Sequence, residues 1–285
     1  MIFILFAACC SVAVSILLKK LASVGYHPLS MVVWNYASAS LLCFLWFKPN
    51  LLNIQVAQVP WWLIGLLGII LPSIFLALSR ALNDAGIVKT EIAQRLSAVL
   101  SIIAAYFIFN EQFSAVKLIG VTLGIFAVSL LVLSRETGHH QIINKKGVLS
   151  LLCVWIGYAL VDVLLKYNSS LGQGFAQSLN LIFVTAFLFS FIYCSLKENC
   201  NLWGKKNIFA GLGLGILNFA NIALYINAHI ALKSSPAIVF ASMNIAVVVF
   251  GILGGIFFFR EKINSQMLFS LVLAISAVLV LMSTM

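Results

Sequence analysis

One stretch of this chain sets an acid, a base and an amide close together in otherwise apolar sequence. Along Ile87-Val88-Lys89-Thr90-Glu91-Ile92-Ala93-Gln94-Arg95-Leu96-Ser97, steps of three and four return to the same side of a helix, so Thr90, Glu91, Gln94, Arg95, Ala98 and Ser101 share one face. These residue types suit binding. A guanidinium offers a planar two-pronged fork that fits a carboxylate, and a nearby carboxylate takes an amine or a proton. Two readings are open. Glu91 and Arg95, spaced i and i+4, neutralise each other as a buried pair that orients the helix, or the stripe is the wall of a site where a substrate carboxylate displaces Glu91 from Arg95.

Asp162, in Val161-Asp162-Val163, has Lys166 four residues on as its nearest charge. It is either a group that takes up and releases a proton as its solvation changes or one half of a plain pair with Lys166. Asn218, Asn221 and Tyr225 follow at i, i+3 and i+7, with Asn227 just beyond, a pattern that suits interhelical hydrogen bonds or a ligand rich in hydroxyls and amines. Asn244, Asn35 and Tyr36 are lesser candidates, and Trp34 and Tyr158 could form aromatic walls. His229 and Arg80, near helix ends, are expected to reach toward the membrane interface.

The elements that carry these groups must cross a membrane. Of 285 residues 63% are hydrophobic and 8% charged, with a mean hydropathy of +1.12, which a water-soluble fold cannot accommodate. Ten apolar stretches are predicted to span as helices, at about 2–22, 28–47, 61–82, 86–109, 114–134, 147–166, 176–196, 207–231, 237–259 and 264–283. The short alternating segments of a barrel are missing. At a rise of about 1.5 Å per residue, Arg95 falls roughly 13 Å into its span, near the middle of a hydrocarbon core of about 30 Å. A charge at that depth costs several kcal/mol unless paired or hydrated, which makes it a functional candidate.

The chain also repeats itself. Phe109-Asn110-Glu111 recurs as Phe259-Arg260-Glu261 at an offset of 150 residues, Ala127-Val128 as Ala277-Val278, Ala81-Leu82 as Ala231-Leu232, and Leu17-Leu18-Lys19 as Leu164-Leu165-Lys166 at an offset of 147. Two five-span units follow, residues 1–138 and 139–285. An odd number of spans per unit makes the second enter the membrane from the opposite face, an inverted repeat of the kind that places a site at the midplane. Pro72 aligns with Ile222, beside Asn221, so each half carries an irregular or polar point at one depth. Gly120 with Gly124, Gly211 with Gly215 and Gly251 with Gly255 are expected to be packing contacts within the monomer, with a homodimer contact as the alternative. Trp61, Trp62 and Trp203 enter spans three and eight as interface anchors.

The net charge of +10 reports insertion here, not nucleic acid. Ten Lys and Arg residues of the odd-numbered connections, Lys19 to Lys262, oppose four on the even ones (Lys48, Lys117, Lys166 and Lys233), which places the odd connections in the cytoplasm and both termini outside it. The start lacks a basic n-region, so the first span is expected to be retained. The six cysteines form no C-x-x-C, and only Cys194 and Cys200, flanking the seventh-to-eighth connection, invite an oxidation test. No metal motif, G-x-S-x-G elbow or P-loop is present, so no cofactor, no enzymatic role and no ATP-driven transport by this chain alone is expected.

Ten spans as a five-plus-five repeat, with short acidic turns at Asn110-Glu111 and Arg260-Glu261 before the last span of each half, resemble the drug/metabolite transporter (DMT) superfamily, EamA type. The resemblance covers essentially the whole chain. It implies a central cavity lined mainly by spans one, three, four, six, eight and nine, near which Glu91, Gln94, Arg95, Asp162, Asn221, Tyr225 and Asn244 fall. It also implies that the Glu111 and Glu261 turns are structural, capping helix ends, and that transport runs outward across a bacterial inner membrane. Two departures stand out: the charged stripe on span four is heavier than a plain apolar span, and many relatives have cytoplasmic termini. The expected protein is a secondary transporter of a small polar, amino-acid-like metabolite working by alternating access. Glu91, Gln94, Arg95, Asn221, Tyr225 and Asn244 would bind substrate, and Asp162 and Glu91 would couple a proton. A lipophilic-cation/proton antiporter is the alternative within transport, and a membrane scaffold or lipid-modifying enzyme the alternative outside it.

Overall fold

The computed structural model describes residues 2–49, 59–109, 114–133, 145–172, 174–198, 200–232 and 236–283. The Glu111 turn and most of the connection between Arg135 and Lys146 lie outside them.

The described residues form helices α1 (Ile2–Ser23), α2 (Pro28–Phe47), α3 (Trp61–Asp84), α4 (Ile87–Arg95), α5 (Ser97–Phe109), α6 (Ala115–Leu133), α7 (Lys145–Ser170), α8 (Phe175–Leu196), α9 (Lys205–Ala231), α10 (Pro236–Phe259) and α11 (Ser265–Met282). Among the described residues nine helices are long and apolar enough to cross a membrane, counting Ile87–Ile108 as one, and Leu118–Ala127 of α6 is a shorter apolar stretch. The chain is an all-α, multi-pass membrane protein. Its outer surface is greasy: Phe6, Trp46, Phe107, Phe126, Phe189, Phe209 and Phe257 are exposed, as lipid allows and water does not. Trp61 and Trp62 are exposed at the start of α3, and Trp203 in the turn just before α9.

The fourth span is two helices rather than the expected one. The backbone turns at Leu96, whose carbonyl accepts the Trp155 indole N–H at 2.9 Å, while the Ser97 hydroxyl donates to the Gln94 carbonyl at 2.7 Å. Side chains thus satisfy groups that the interrupted ladder leaves free, the condition for a break at membrane depth.

α2 packs against α8 and α9, α3 against α7 and α8, and α1 against α9 and α10. α7 packs on α4 and α5, α4 on α10, and α6 pairs with α11. Glycines make the close approaches. A Cβ at Gly211 would sit 2.6 Å from the Met31 carbonyl oxygen, and one at Gly215 2.3 Å from that of Asn35, so α9 and α2 meet backbone to backbone. Gly120 faces Leu281, Gly124 faces Val99, and Gly251 and Gly255 face Glu91 and Val88, all within the monomer. Cys194 and Cys200 are joined as a disulfide in the α8–α9 turn. The Asn201 carbonyl beside it accepts the Ser30 hydroxyl at 2.9 Å, and the Leu202 carbonyl accepts the Trp34 indole N–H at 3.0 Å. That bond, with an edge-to-face contact to Trp203, takes Trp34 away from the interior.

Candidate functional site

The helices enclose a cavity of about 880 Å³. Its polar wall combines Ser11 and Ser15 of α1, Gln94 and Arg95 at the end of α4, Ser97 and Ala98 at the start of α5, and Tyr158 and Asp162 of α7. Asn218, Asn221, Tyr225 and His229 of α9 and Asn244 of α10 complete it. Facing them is an apolar wall of Leu71, Ile74, Phe75 and Leu78 from α3 and Leu179, Ile182 and Phe183 from α8. Tyr36 of α2 lies between Phe75, which it meets edge-to-face, and Phe183, which it meets at a tilt, with ring centroids 6.4 and 6.1 Å away. Spans two and seven therefore line the cavity as well as the six that the resemblance implied.

Arg95 is its electrostatic centre. Its Nη2 donates to the Ser11 hydroxyl at 3.1 Å, and its Nε is buried without a hydrogen-bond partner. Glu91, Tyr158, Asp162 and Tyr225 all lie within reach of its charge. Among the described residues Arg95 forms no direct ion pair: the pair at 2.6 Å is Lys19–Glu261. A guanidinium on the lumen wall, held by one hydroxyl and by no carboxylate among the described residues, can accept an anionic ligand group without first losing a strong partner.

Glu91 sits elsewhere. It is 1% exposed, accepts the Ser15 hydroxyl on Oε1 at 2.5 Å, and is backed by Gly251 of α10; its Oε2 has no partner. Ser15 lines the cavity and Glu91 stands behind it, in contact with the lumen only through that hydroxyl. Asp162 faces the lumen and keeps an exposed surface there, with the Ser101 hydroxyl donating to Oδ2 at 3.3 Å. Asn221 reaches the cavity with its buried Oδ1 unpartnered, Asn244 donates to the Phe240 carbonyl at 2.9 Å, and Tyr225 stands edge-on to His229 with centroids 4.6 Å apart. His229 thus lines the cavity mouth instead of reaching outward.

Of the residues singled out from sequence, Gln94, Arg95, Asp162, Asn221, Tyr225 and Asn244 are brought to one lumen, together with Asn218 and Tyr158. Ser11 was overlooked. Its only signal was a serine four residues before Ser15 on an apolar helix, a spacing that aims two hydroxyls one way. The apolar wall of α3 and α8 had no sequence signal, because Leu, Ile and Phe face lipid and lumen alike on these helices.

A family model described as the EamA-like transporter family matches residues 1–133. An uncharacterized protein of Haemophilus influenzae is 37% identical over 280 residues, covering 96% of this chain and 95% of that protein. A solved crystal structure, 15% identical over 96% of this chain and 95% of its own, has the same fold with a TM-score of 0.56.

Proposed function

Since the chain belongs, through residues 1–133, to the EamA-like transporter family, we propose that its cavity carries a small polar, amino-acid-like metabolite across the membrane by alternating access, as a secondary exporter of the DMT superfamily. The observation that carries this reading is a guanidinium, Arg95, and a carboxylate, Asp162, on the wall of one lumen with no ion pair between them among the described residues. A substrate carboxylate pairs with the first. An ammonium group pairs with the second, beside the Asn221 amide. Gln94, Tyr225 and Asn244 offer further polar contacts along the same wall. Glu91, shut off from the lumen but linked to it through Ser15, suits a proton-binding role better than substrate contact, and Asp162 is the second proton site.

The inverted five-plus-five repeat, with units 1–138 and 139–285, is part of this reading. Exchanging α1 for α7, α2 for α8, α3 for α9, α4–α5 for α10 and α6 for α11 turns the α2–α9 contact into α8–α3, α1–α9 into α7–α3 and α1–α10 into α7–α4. α2–α8, α6–α11 and α4–α10 map onto themselves. A packing pattern that survives the exchange is what a duplicated unit produces. The lumen reaches Leu165 and Ile230 near the ends of α7 and α9, and Phe175 at the start of α8, so its mouth lies on the face of the even-numbered connections. The positive-inside bias makes that face extracytoplasmic, in a bacterial inner membrane by family analogy.

The test is thermal unfolding of the detergent-purified protein across a metabolite panel at two pH values, with wild type, Arg95→Ala and Asp162→Asn in parallel. Truncating one partner of a buried charge pair costs about 2–5 kcal/mol, so Arg95→Ala should weaken binding by roughly 30-fold to several thousand-fold. Asp162→Asn should flatten the pH dependence of binding. Equal stabilisation of wild type and Arg95→Ala by the same ligand refutes the assignment. The apolar wall of α3 and α8 beside Asp162 also favours a second reading, a lipophilic cation held at Asp162, which would stabilise Arg95→Ala and fail with Asp162→Asn.

A further inference from the structure

On the side opposite its mouth the cavity lining stops at Ser15 of α1 and at Gln94 and Arg95 of α4, and the closing contact beyond joins the first half of the chain to the second. In the α10–α11 turn Arg260 adopts left-handed backbone (φ 52°), its N–H donates to the Ile256 carbonyl, and the Glu261 N–H turns back to the Gly255 carbonyl at 3.0 Å. This geometry turns the Glu261 side chain across onto the first half. Its Oε1 accepts Lys19 Nζ at 2.6 Å and the Ile87 N–H at 2.7 Å, and its Oε2 accepts the Val88 N–H at 3.1 Å. Lys19 also sits over the Phe259 ring, 4.5 Å from its centroid. Two glycines make the space: a Cβ on Gly86 (φ +87°) would lie 2.9 Å from the carboxylate and one on Gly255 3.0 Å from it.

We propose that Glu261, seated on Lys19 and on the open N-terminus of α4, is the latch that holds the cavity shut on this face of the membrane. A helix N-terminus is usually capped by a residue beside it in sequence. Here the capping carboxylate comes from 174 positions away, in the other half, so completing the helix end and closing the two halves are one event. Between the latch and the cavity floor at Ser15 and Arg95 lies a layer of fully buried side chains, Leu18, Ile87, Val88 and Ile92. A solute leaving by this face must part the end of α1 and the start of α4 from the α10–α11 turn, and every bond to the Glu261 carboxylate crosses that seam. Lys19 and Glu261 are 15% and 16% exposed, so water entering the seam replaces their partners directly and the contact can open and re-form.

This inference rests on the lumen being a transport path, but its test needs no substrate. A single reporter, Val14→Cys on the cavity wall, is placed in a background free of the native cysteines, and a membrane-impermeant maleimide is applied to either face of reconstituted vesicles. The parent should label only from the mouth face. Glu261→Ala should label from the latch face at least tenfold faster than the parent, and Glu261→Gln, which keeps an acceptor for the α4 N–H groups but loses the charge toward Lys19, should fall between. If Glu261→Ala does not fold, Lys19→Met carries the test with the same expected increase. A folded variant that labels from the latch face no faster than the parent overturns the latch, whatever the metabolite panel shows.

Discussion

Three glycines on one helix separate close packing from helix propensity. Gly211, Gly213 and Gly215 all lie in α9, but a Cβ on Gly213 would meet nothing within 4 Å, whereas one on Gly215 would stand 1.9 Å from the Ser38 hydroxyl and 2.3 Å from the Asn35 carbonyl oxygen. The hydroxyl can rotate away and the carbonyl cannot, since it is α2 backbone. Gly215→Ala therefore drives α9 and α2 apart by about 1 Å, enough to forfeit a quarter to a half of the dispersion energy of atom pairs across that contact. Overpacking of this kind costs roughly 1–3 kcal/mol, against a gain of about 1 kcal/mol for replacing glycine by alanine inside a helix. Gly213→Ala keeps only the gain. The two variants should differ by about 1–3 kcal/mol, with Gly211→Ala, 2.6 Å from the Met31 carbonyl oxygen, siding with Gly215→Ala. Reversible unfolding in mixed micelles titrated with a denaturing detergent, followed by tryptophan fluorescence, measures this. Equal stability of Gly213→Ala and Gly215→Ala would show that the α2–α9 approach does not need glycine, and the packing argument would fail.

Two further outcomes are expected. Ser15→Ala removes the one hydrogen bond that the buried Glu91 carboxylate accepts among the described residues, where its Oε2 already lacks a partner, and should cost about 1–3 kcal/mol in the same unfolding assay; combined with Glu91→Gln the loss should be less than additive, and strict additivity would mean the two groups do not interact. His27, just before α2, is held below its ordinary pKa of 6.5 by burial and then by the Lys197 charge. The unfolded chain therefore binds this proton more readily, so the stability His27 contributes is full above about pH 6.5 and is lost as pH falls. Replacing His27 with Gln should shrink the drop in melting temperature between pH 7.5 and 5.5, and an unchanged drop would assign it to other groups.

The site was only partly legible in the sequence. The 3.6-residue period grouped Gln94 and Arg95, which do share the lumen, but it placed Glu91 on the same wall, and the fold puts Glu91 behind Ser15 because α4 lies between α10 and α7, with Gly251 of α10 against the Glu91 side chain and the Ser15 hydroxyl of α1 on its carboxylate. Periodicity assigns a residue to an angle about its own helix and is silent on which neighbour occupies that angle. The family resemblance implied that the Glu261 turn caps a helix end, yet the helix it caps belongs to the other half, a pairing that spans 174 positions and leaves no local pattern. The disulfide partners Cys194 and Cys200, six residues apart in one turn, needed only proximity in sequence.

Sequence alone determined that this chain lives in a membrane as helices, because hydropathy and span length are sums over neighbouring residues and the bilayer admits little else. It also marked the intramembrane charges, since so few are present that each stands out. Only the tertiary structure decided which of those charges share a lumen, where span four breaks, and on which face the cavity is shut. Those depend on contacts between helices far apart in sequence, set by where glycines let backbones meet and where a buried polar group finds its partner.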